Sequence, residues 1–150
     1  MEFDSFNNIL DFAIQREQEA HDFYMNLAKK VSRPYMKKVF EDFAREEAGH
    51  KAKLIGIKSG KINPPAIRKV ADLQIGDYLE DTVVGENIDY LSALILAMKR
   101  EKIAFKLYSN IAAKVDDETL KNTFLMLAQE EARHKLRFEI EYDEAIMTEN

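Results

Sequence analysis

The chain of 150 residues is long enough to form one ordinary domain with a buried core. Its 46% hydrophobic and 33% charged residues, with only 5 glycines and 3 prolines, are typical of a helical globular protein rather than a β-sandwich or a disordered segment. The net charge of −5 argues against nucleic acid as the main partner. The absence of cysteine excludes disulfides and thiolate metal sites, so any metal must bind through oxygen and imidazole nitrogen.

Neither a secretory leader nor a membrane-spanning helix is expected from the sequence. A leader needs a basic segment followed by a long apolar stretch, which the first residues lack. A spanning helix needs about 18 apolar residues in a row, and the sequence has no such run. We therefore expect a cytoplasmic protein with no membrane partner.

Apolar residues recur at alternating steps of four and three along the first 31 residues. This spacing is typical of a helix that packs one face in a bundle, and it predicts a first helix over about residues 3–31. Ser32 and Pro34 mark a turn and the first turn of the next helix, because proline lacks the N–H that an interior helical position donates. The same spacing then predicts a second helix that ends near residue 57.

The second half of the sequence repeats the first at an offset of 84 residues. Residues 13–54 laid over 97–138 without a gap match at 17 of 42 positions. Such self-similarity indicates an internal duplication, so we expect a second helical hairpin. Asp116 or Asp117 is expected to cap the start of its second helix.

The segment between the repeats, residues 58–86, carries three of the five glycines and two of the three prolines, with one short helical turn expected near Leu73 to Leu79. Fully extended, it could span about 95 Å, more than the length of a bundle helix at about 40 Å. A long crossover between two hairpins is the ferritin-like arrangement. The sequence therefore predicts an all-α, ferritin-like antiparallel four-helix bundle, with hairpins over 3–57 and 87–147 in a single domain, 1–150.

The repeat carries a set of candidate metal ligands. Each half has one glutamate on its first helix and a Glu-x-x-His sequence on its second: Glu17, Glu47, His50, Glu101, Glu131 and His134. A glutamate and a histidine three positions apart lie about 60° apart around a helix, so both can reach one ion. In each half the two glutamates are equally distant from the predicted turn, so they lie at the same height along the helical hairpin. This is the ligand inventory of a di-iron or di-manganese bundle.

The charge of these acids supports a metal site. All four carboxylates occupy apolar seams, and burying one unpaired carboxylate costs several kcal/mol, against a total domain stability of about 5 to 15 kcal/mol. Two divalent cations would balance the four negative charges. Oxygen and imidazole donors favour iron or manganese, with zinc as a substitute and calcium or magnesium less suitable. The alternative is a metal-free bundle that keeps its acids protonated and serves as an interaction module.

Other residues near the ligands have more than one interpretation. Tyr24 and Tyr108 follow the first-helix glutamates by two turns, and each is either a core aromatic or a hydroxyl that orients a ligand carboxylate. His21 aligns with Phe105 in the repeat, so we expect a surface or interface residue. Four methionines are expected to fill the core: Met25, Met36, Met98 and Met126.

The ligand segments resemble the di-iron domain of the rubrerythrins, in the ferritin-like superfamily. REQEAHDFY, which contains Glu17, resembles the first helix of that family, and REEAGHKAKL, with Glu47 and His50, resembles the second. The resemblance implies a non-haem di-iron centre that reduces hydrogen peroxide in stress defence, often in a dimer. It also implies that Glu47 and Glu131 bridge two iron ions.

The sequence departs from that family in two respects. It has no cysteine for a rubredoxin domain, so electrons are expected from a separate donor protein such as a rubredoxin. Ala104 stands where the family has an additional carboxylate one turn after Glu101. No fifth helix is expected after residue 147, which counts against a ferritin storage shell. No long exposed apolar patch in the sequence requires the homodimer that the resemblance suggests.

We therefore predict an oxidoreductase with two iron ions, for which manganese or zinc could substitute, acting on hydrogen peroxide or dioxygen. The alternative is a ferritin-like protein that binds or sequesters metal without significant turnover. Because one fold can host both activities, the ligands alone do not choose between them.

Overall fold

The computed structural model describes residues 6–59 and 89–149, with side chains up to Met147. This part of the chain forms four helices and no β-strand: α1 (Phe6–Lys30), α2 (Pro34–Lys58), α3 (Tyr90–Lys114) and α4 (Glu118–Glu149). None of the helices in the described ranges has an 18-residue stretch apolar enough to cross a membrane.

The helix boundaries agree with the sequence pattern to within a few residues. α1 ends at Lys30 and α2 begins at Pro34, so the turn falls where it was expected. Pro34 occupies the first helical position, and Arg33 before it has extended backbone angles (φ −82°, ψ 115°) and no capping side-chain hydrogen bond. α4 begins directly after Asp117. The predicted crossover, including the turn near Leu73 to Leu79, lies almost wholly outside the described residues.

The start of α3 has a side-chain cap that the sequence analysis missed. The backbone N–H of Ser92 donates a hydrogen bond to Oδ1 of Asp89, at 2.7 Å. This satisfies one of the four N–H groups that a helix leaves without an internal acceptor at its start. The same backbone bond, with a further one from the Ser92 side chain, lowers the pKa of the exposed Asp89 carboxyl.

The chain divides into two compact units, each built on one helical hairpin. Among the described residues, the first unit contains α1, α2 and the turn Lys114–Asp117. α1 and α2 pack against each other and bury a row of large apolar side chains, most of them with no measurable exposure: Ile9, Leu10, Leu27, Met36, Phe40 and Leu54. Burying one such side chain stabilises the fold by about 1.5 to 3 kcal/mol. Except for Ile9, these side chains lie at the three- and four-residue spacing that predicted the two helices.

The second unit contains α3 up to Ala113 and the whole of α4. Its core uses corresponding positions of the repeat: Leu94, Ala97, Ile111, Leu120, Phe124 and Phe138 are at most 1% exposed. An aromatic pair is also repeated. Tyr24 stacks on Phe40 with ring centroids 6.3 Å apart, and Tyr108 stacks on Phe124 at 6.2 Å. One expectation was wrong, because Met126 is 38% exposed and does not fill the core.

Candidate metal centre

The six predicted ligands are all buried, although each carries a polar or charged group. The four glutamates are 1 to 2% exposed and the two histidines 4 to 5%. They are buried because each occupies a position of the apolar seam, where the helix turns its side chains toward the core. Their helices are α1 for Glu17, α2 for Glu47 and His50, α3 for Glu101, and α4 for Glu131 and His134.

In the first hairpin the structure brings Glu17, Glu47 and His50 together. The Nδ1 atom of His50 lies 3.6 Å from Oε2 of Glu17 and 3.8 Å from Oε1 of Glu47. Each of the three residues offers a ligand atom within 4.8 Å of those of the other two. Both distances are too long for a hydrogen bond. They are close to the separation of about 3.0 to 3.4 Å between two atoms that each lie about 2.1 Å from one ion.

The second hairpin repeats this triad with Glu101, Glu131 and His134. The Nδ1 atom of His134 lies 3.5 Å from Oε1 of Glu101. Ligand atoms of all three residues again fall within 4.8 Å of one another. The same ring nitrogen therefore faces the first-helix glutamate in both hairpins, so the repeat extends from residue type to side-chain orientation.

The donor set of each triad fits a divalent metal ion. Two carboxylates bring two negative charges into a position where water is excluded, and one divalent cation offsets both. Carboxylate oxygen combined with imidazole nitrogen suits iron, manganese or zinc better than calcium, which prefers oxygen alone. Each triad of two glutamates and one histidine is thus a candidate site for one divalent metal ion, and the donor chemistry does not distinguish among these metals.

Two further buried charges were not singled out from the sequence. One is Arg100, which is 8% exposed. Its counterpart in the repeat, Arg16, forms an ion pair of 2.9 Å with Glu19, whose side chain is 41% exposed. Position 103, which corresponds to Glu19, is Ile103, so the repeat does not predict this pair for Arg100. Glu141 is also 8% exposed and accepts a hydrogen bond of 3.0 Å from Nε of Arg137. An i, i+4 Arg–Glu spacing could have indicated the second pair.

Tyr24 and Tyr108 are buried at 0% and 1% exposure. Besides its stack on Phe40, the ring of Tyr24 meets Phe43 edge to face at 6.1 Å. These contacts give both tyrosines a packing role in their own hairpin. The proposed role of their hydroxyls in orienting a ligand stays a prediction.

His21 lies apart from the first triad. Its side chain is 35% exposed, and Nδ1 lies 3.0 Å from Oδ1 of the neighbouring Asp22. This is the surface position that the alignment with Phe105 indicated, and Phe105 itself is 41% exposed. Of the three histidines in the sequence, the two in Glu-x-x-His sequences are therefore the buried ones.

Two solved structures resemble this fold over nearly the whole chain. A hypothetical protein from Pyrococcus furiosus is 25% identical, with a TM-score of 0.72 over 93% of this chain and 89% of that one. A proposed ferritin-like diiron-carboxylate protein from Thermotoga maritima is 19% identical, with a TM-score of 0.70 over 97% of this chain and 99% of that one. No curated protein matches the chain. The predicted fold class, an all-α ferritin-like four-helix bundle, is confirmed.

The family profile of rubrerythrin matches residues 8–142, a range that contains all six candidate ligands and most of both hairpins. The profile covers far more than half of the sequence, and the resemblance first noticed in two short segments extends across the described helices. By this match, the chain belongs to the rubrerythrin family.

Proposed function

We propose that the chain is a non-haem di-iron oxidoreductase that reduces hydrogen peroxide or dioxygen, with electrons from a separate donor protein. The observation that carries the proposal is the duplicated, buried triad of two glutamates and one histidine. A single Glu-x-x-His sequence on a helix is weak evidence for metal. The same three residues in both hairpins, all at most 5% exposed, are difficult to explain without cations.

The two triads are proposed to act together on a pair of iron ions. His50 and His134 would each bind one ion, Glu17 and Glu101 would each bind from the first helix of their hairpin, and Glu47 and Glu131 would complete the two donor sets. Reducing one hydrogen peroxide to two waters takes two electrons and two protons, and a pair of ferrous ions held by these residues would supply the two electrons. Manganese or zinc can occupy the same donors.

The protein's own contribution is to hold the ligands and exclude water. The side chains of the six candidate ligands are at most 5% exposed, so bulk water has little access to them. We propose that the hydroxyls of Tyr24 and Tyr108 hold the ligand carboxylates in orientation, since the rings are already fixed by stacking. The donor, in this proposal, is a cytoplasmic protein such as a rubredoxin.

Single-turnover kinetics test the oxidoreductase. Protein loaded anaerobically with two ferrous ions is mixed with hydrogen peroxide or with air-saturated buffer, and iron oxidation is followed by stopped-flow absorbance. We expect oxidation by one of the two oxidants to be at least tenfold faster than that of free ferrous iron under the same conditions. Equal rates for bound and free iron with both oxidants would falsify the enzymatic proposal.

One observation favours a second candidate, a protein that sequesters metal without significant turnover. Ala20 and Ala104 occupy the positions one turn after the first-helix glutamates, so both halves offer equal ligand sets with no additional carboxylate at this position. Two equal ligand sets without this carboxylate favour retention of both ions over a change of ligand during redox cycling. This candidate predicts tight uptake of two ions per chain and slow oxidation by either oxidant.

A further inference from the structure

The outward face of α3 carries three lysines that lie close together. Lys99, Lys102 and Lys106 are all exposed. At about 100° per residue they fall within an arc of about 60°, on the side of the helix opposite to the buried Ala97. Ile95, which is 38% exposed, lies within the same arc. We propose that these four exposed residues, the α3 lysine face, are the surface on which an acidic electron-donor protein docks.

The three lysines are not neutralised by their own chain. Within residues 6–59 and 89–149, none of their side chains forms an ion pair or a hydrogen bond. Lys38, by contrast, is an exposed lysine that lies 3.6 Å from the carboxylate of Asp42. Three positive charges in one arc therefore create a local positive potential on a chain whose net charge is −5.

The internal repeat shows that a hairpin of this kind does not need the lysines. At the offset of 84 residues, the corresponding positions of α1 hold Gln15, Gln18 and Asp22. Gln15 donates a hydrogen bond of 3.2 Å to Glu19, and Gln18 donates one of 2.9 Å to Asp22. These positions of α1 are thus used for bonds within the helix, whereas those of α3 present free charge to solvent. A contact outside the chain is the use that we assign to this charge.

The α3 lysine face lies on the helix that carries one of the candidate ligands. Lys102 directly follows Glu101, and the second triad lies on the buried side of the same helix. A protein docked on this face is therefore separated from the triad by the width of one helix, about 10 to 12 Å with its side chains. Each docked donor gives up one electron and is oxidised, so two encounters supply the two electrons that reduction of one hydrogen peroxide consumes. The inference thus rests on the oxidoreductase proposed above.

The charge and size of the face select an acidic protein as the partner. A second copy of this chain would bring its own three lysines against these, and like charges in contact oppose association. Nucleic acid and anionic membranes need more basic groups than three for firm binding. Electron transfer between proteins needs only a small and brief contact, and opposite charges speed the approach of the donor. Ile95 supplies an apolar contact among the charges.

Replacing the lysines by glutamine, the residue that α1 has at two of these positions, tests the surface. Glutamine removes the charge and keeps a similar helix propensity, so the fold should be unaffected. The lysine-face variant combines three substitutions: Lys99→Gln, Lys102→Gln and Lys106→Gln. The matched control removes the same amount of charge from three exposed lysines of the first hairpin: Lys29→Gln, Lys37→Gln and Lys38→Gln.

The probe is a reduced rubredoxin of net negative charge. It is mixed at low salt with iron-loaded protein and hydrogen peroxide, and its oxidation beyond that caused by peroxide alone is followed by stopped-flow absorbance. We expect the second-order rate constant of the lysine-face variant to be about tenfold below that of the parent and the control, since each exposed charge pair contributes about two- to threefold. Added salt should slow the parent toward the variant. Equal rates for the lysine-face variant and the control, or a parent rate that salt does not lower, would overturn the proposal.

Two further measurements separate the docking surface from the proposed enzyme. Oxidation of bound ferrous ion by peroxide without rubredoxin tests the enzyme alone and should be equal in all three proteins. NMR titration of isotope-labelled oxidised rubredoxin tests docking alone, and its Kd should be about tenfold higher for the lysine-face variant. Slow iron oxidation with lysine-dependent docking would reject the enzyme and support the surface. Rapid iron oxidation with no docking, or with lysine-dependent binding of single-stranded DNA or phosphatidylserine vesicles instead of rubredoxin, would reject the surface and leave the enzyme standing.

Discussion

The two hairpins have similar interiors and different surfaces. Inside, the ligand triads and the Tyr–Phe stacks recur with nearly the same geometry, as the distances of 3.6 Å and 3.5 Å from histidine Nδ1 to the first-helix glutamate illustrate. Outside, α4 exposes Leu136 where α2 has Ala52. Buried positions tolerate little change in volume or charge, whereas exposed positions are free to differ between the two hairpins.

The largest expected loss of stability comes from core positions that are equivalent in the two hairpins. Phe40→Ala and Phe124→Ala each remove a fully buried ring that stacks on a tyrosine. We expect each to lower the free energy of unfolding by about 3 to 5 kcal/mol, because a cavity is left behind. Urea unfolding of both variants measures this. If the two interiors are equivalent, the two losses of unfolding free energy agree to about 1 kcal/mol. A twofold difference between them would show that the interiors are not equivalent. Phe105→Ala, which removes an exposed ring, is the control.

Metal loading should have an effect of similar size. An ion that binds only the folded state stabilises it by about 4 kcal/mol at a thousandfold excess over its dissociation constant. For a protein of this length that corresponds to a rise of about 8 to 16 °C in Tm. Calorimetry with and without ferrous or manganous ion, with magnesium as the control cation, provides the measurement. An unchanged Tm would support the metal-free bundle.

Removing one charge from each triad sharpens the comparison further. Glu47→Gln and Glu131→Gln keep the shape of the side chain but remove a buried carboxylate. We expect each variant to lower the Tm of the metal-loaded protein and to raise the stability of metal-free protein by about 1 to 3 kcal/mol, because like charges no longer face burial together. Metal content and Tm are measured in both states. A fall in metal content and in metal-loaded Tm for only one of the two variants would mean that only one triad binds metal.

The smallest effect concerns the helix starts. Asp89 caps α3, whereas Arg33 before α2 makes no capping side-chain bond. Since the backbone bond from Ser92 lowers the pKa of Asp89, its stabilising contribution is present above the ordinary carboxyl pKa of about 3.9 and is lost as the pH falls through the lowered value. Asp89→Ala should reduce the Tm slightly at pH 7, and this reduction should become smaller as the pH is lowered below about 4. Asp89→Asn, whose amide oxygen can still accept the hydrogen bond, should keep most of the stability throughout this pH range.

Much of the fold could be read from periodicity, because a helix that packs in a core must place apolar residues every three or four positions. That rule located all four helices, and Pro34 fixed the start of α2. Residue type was a weaker guide than spacing. Met126, which lies off the apolar spacing of α4, was expected in the core because methionine often fills core gaps, yet it is 38% exposed.

The candidate metal centre was also predicted in part. Glutamate and histidine on apolar seams predicted burial, because charge at such positions has no solvent to stabilise it. The sequence could not predict that Nδ1 of both histidines faces the first-helix glutamate, because ring orientation depends on side chains of another helix. It also missed the burial of Arg100, whose repeat counterpart pairs with a more exposed residue.

The sequence by itself determined the helices, the duplication and the candidate metal ligands, since these depend on local spacing and on residue type. Only the tertiary structure decided how closely the ligand atoms approach within each hairpin and which apolar side chains stay exposed. Distances between side chains and their exposure arise from packing between helices far apart in sequence. The exposure of the apolar side chain of Leu136 on α4 is therefore a feature that periodicity alone could not predict.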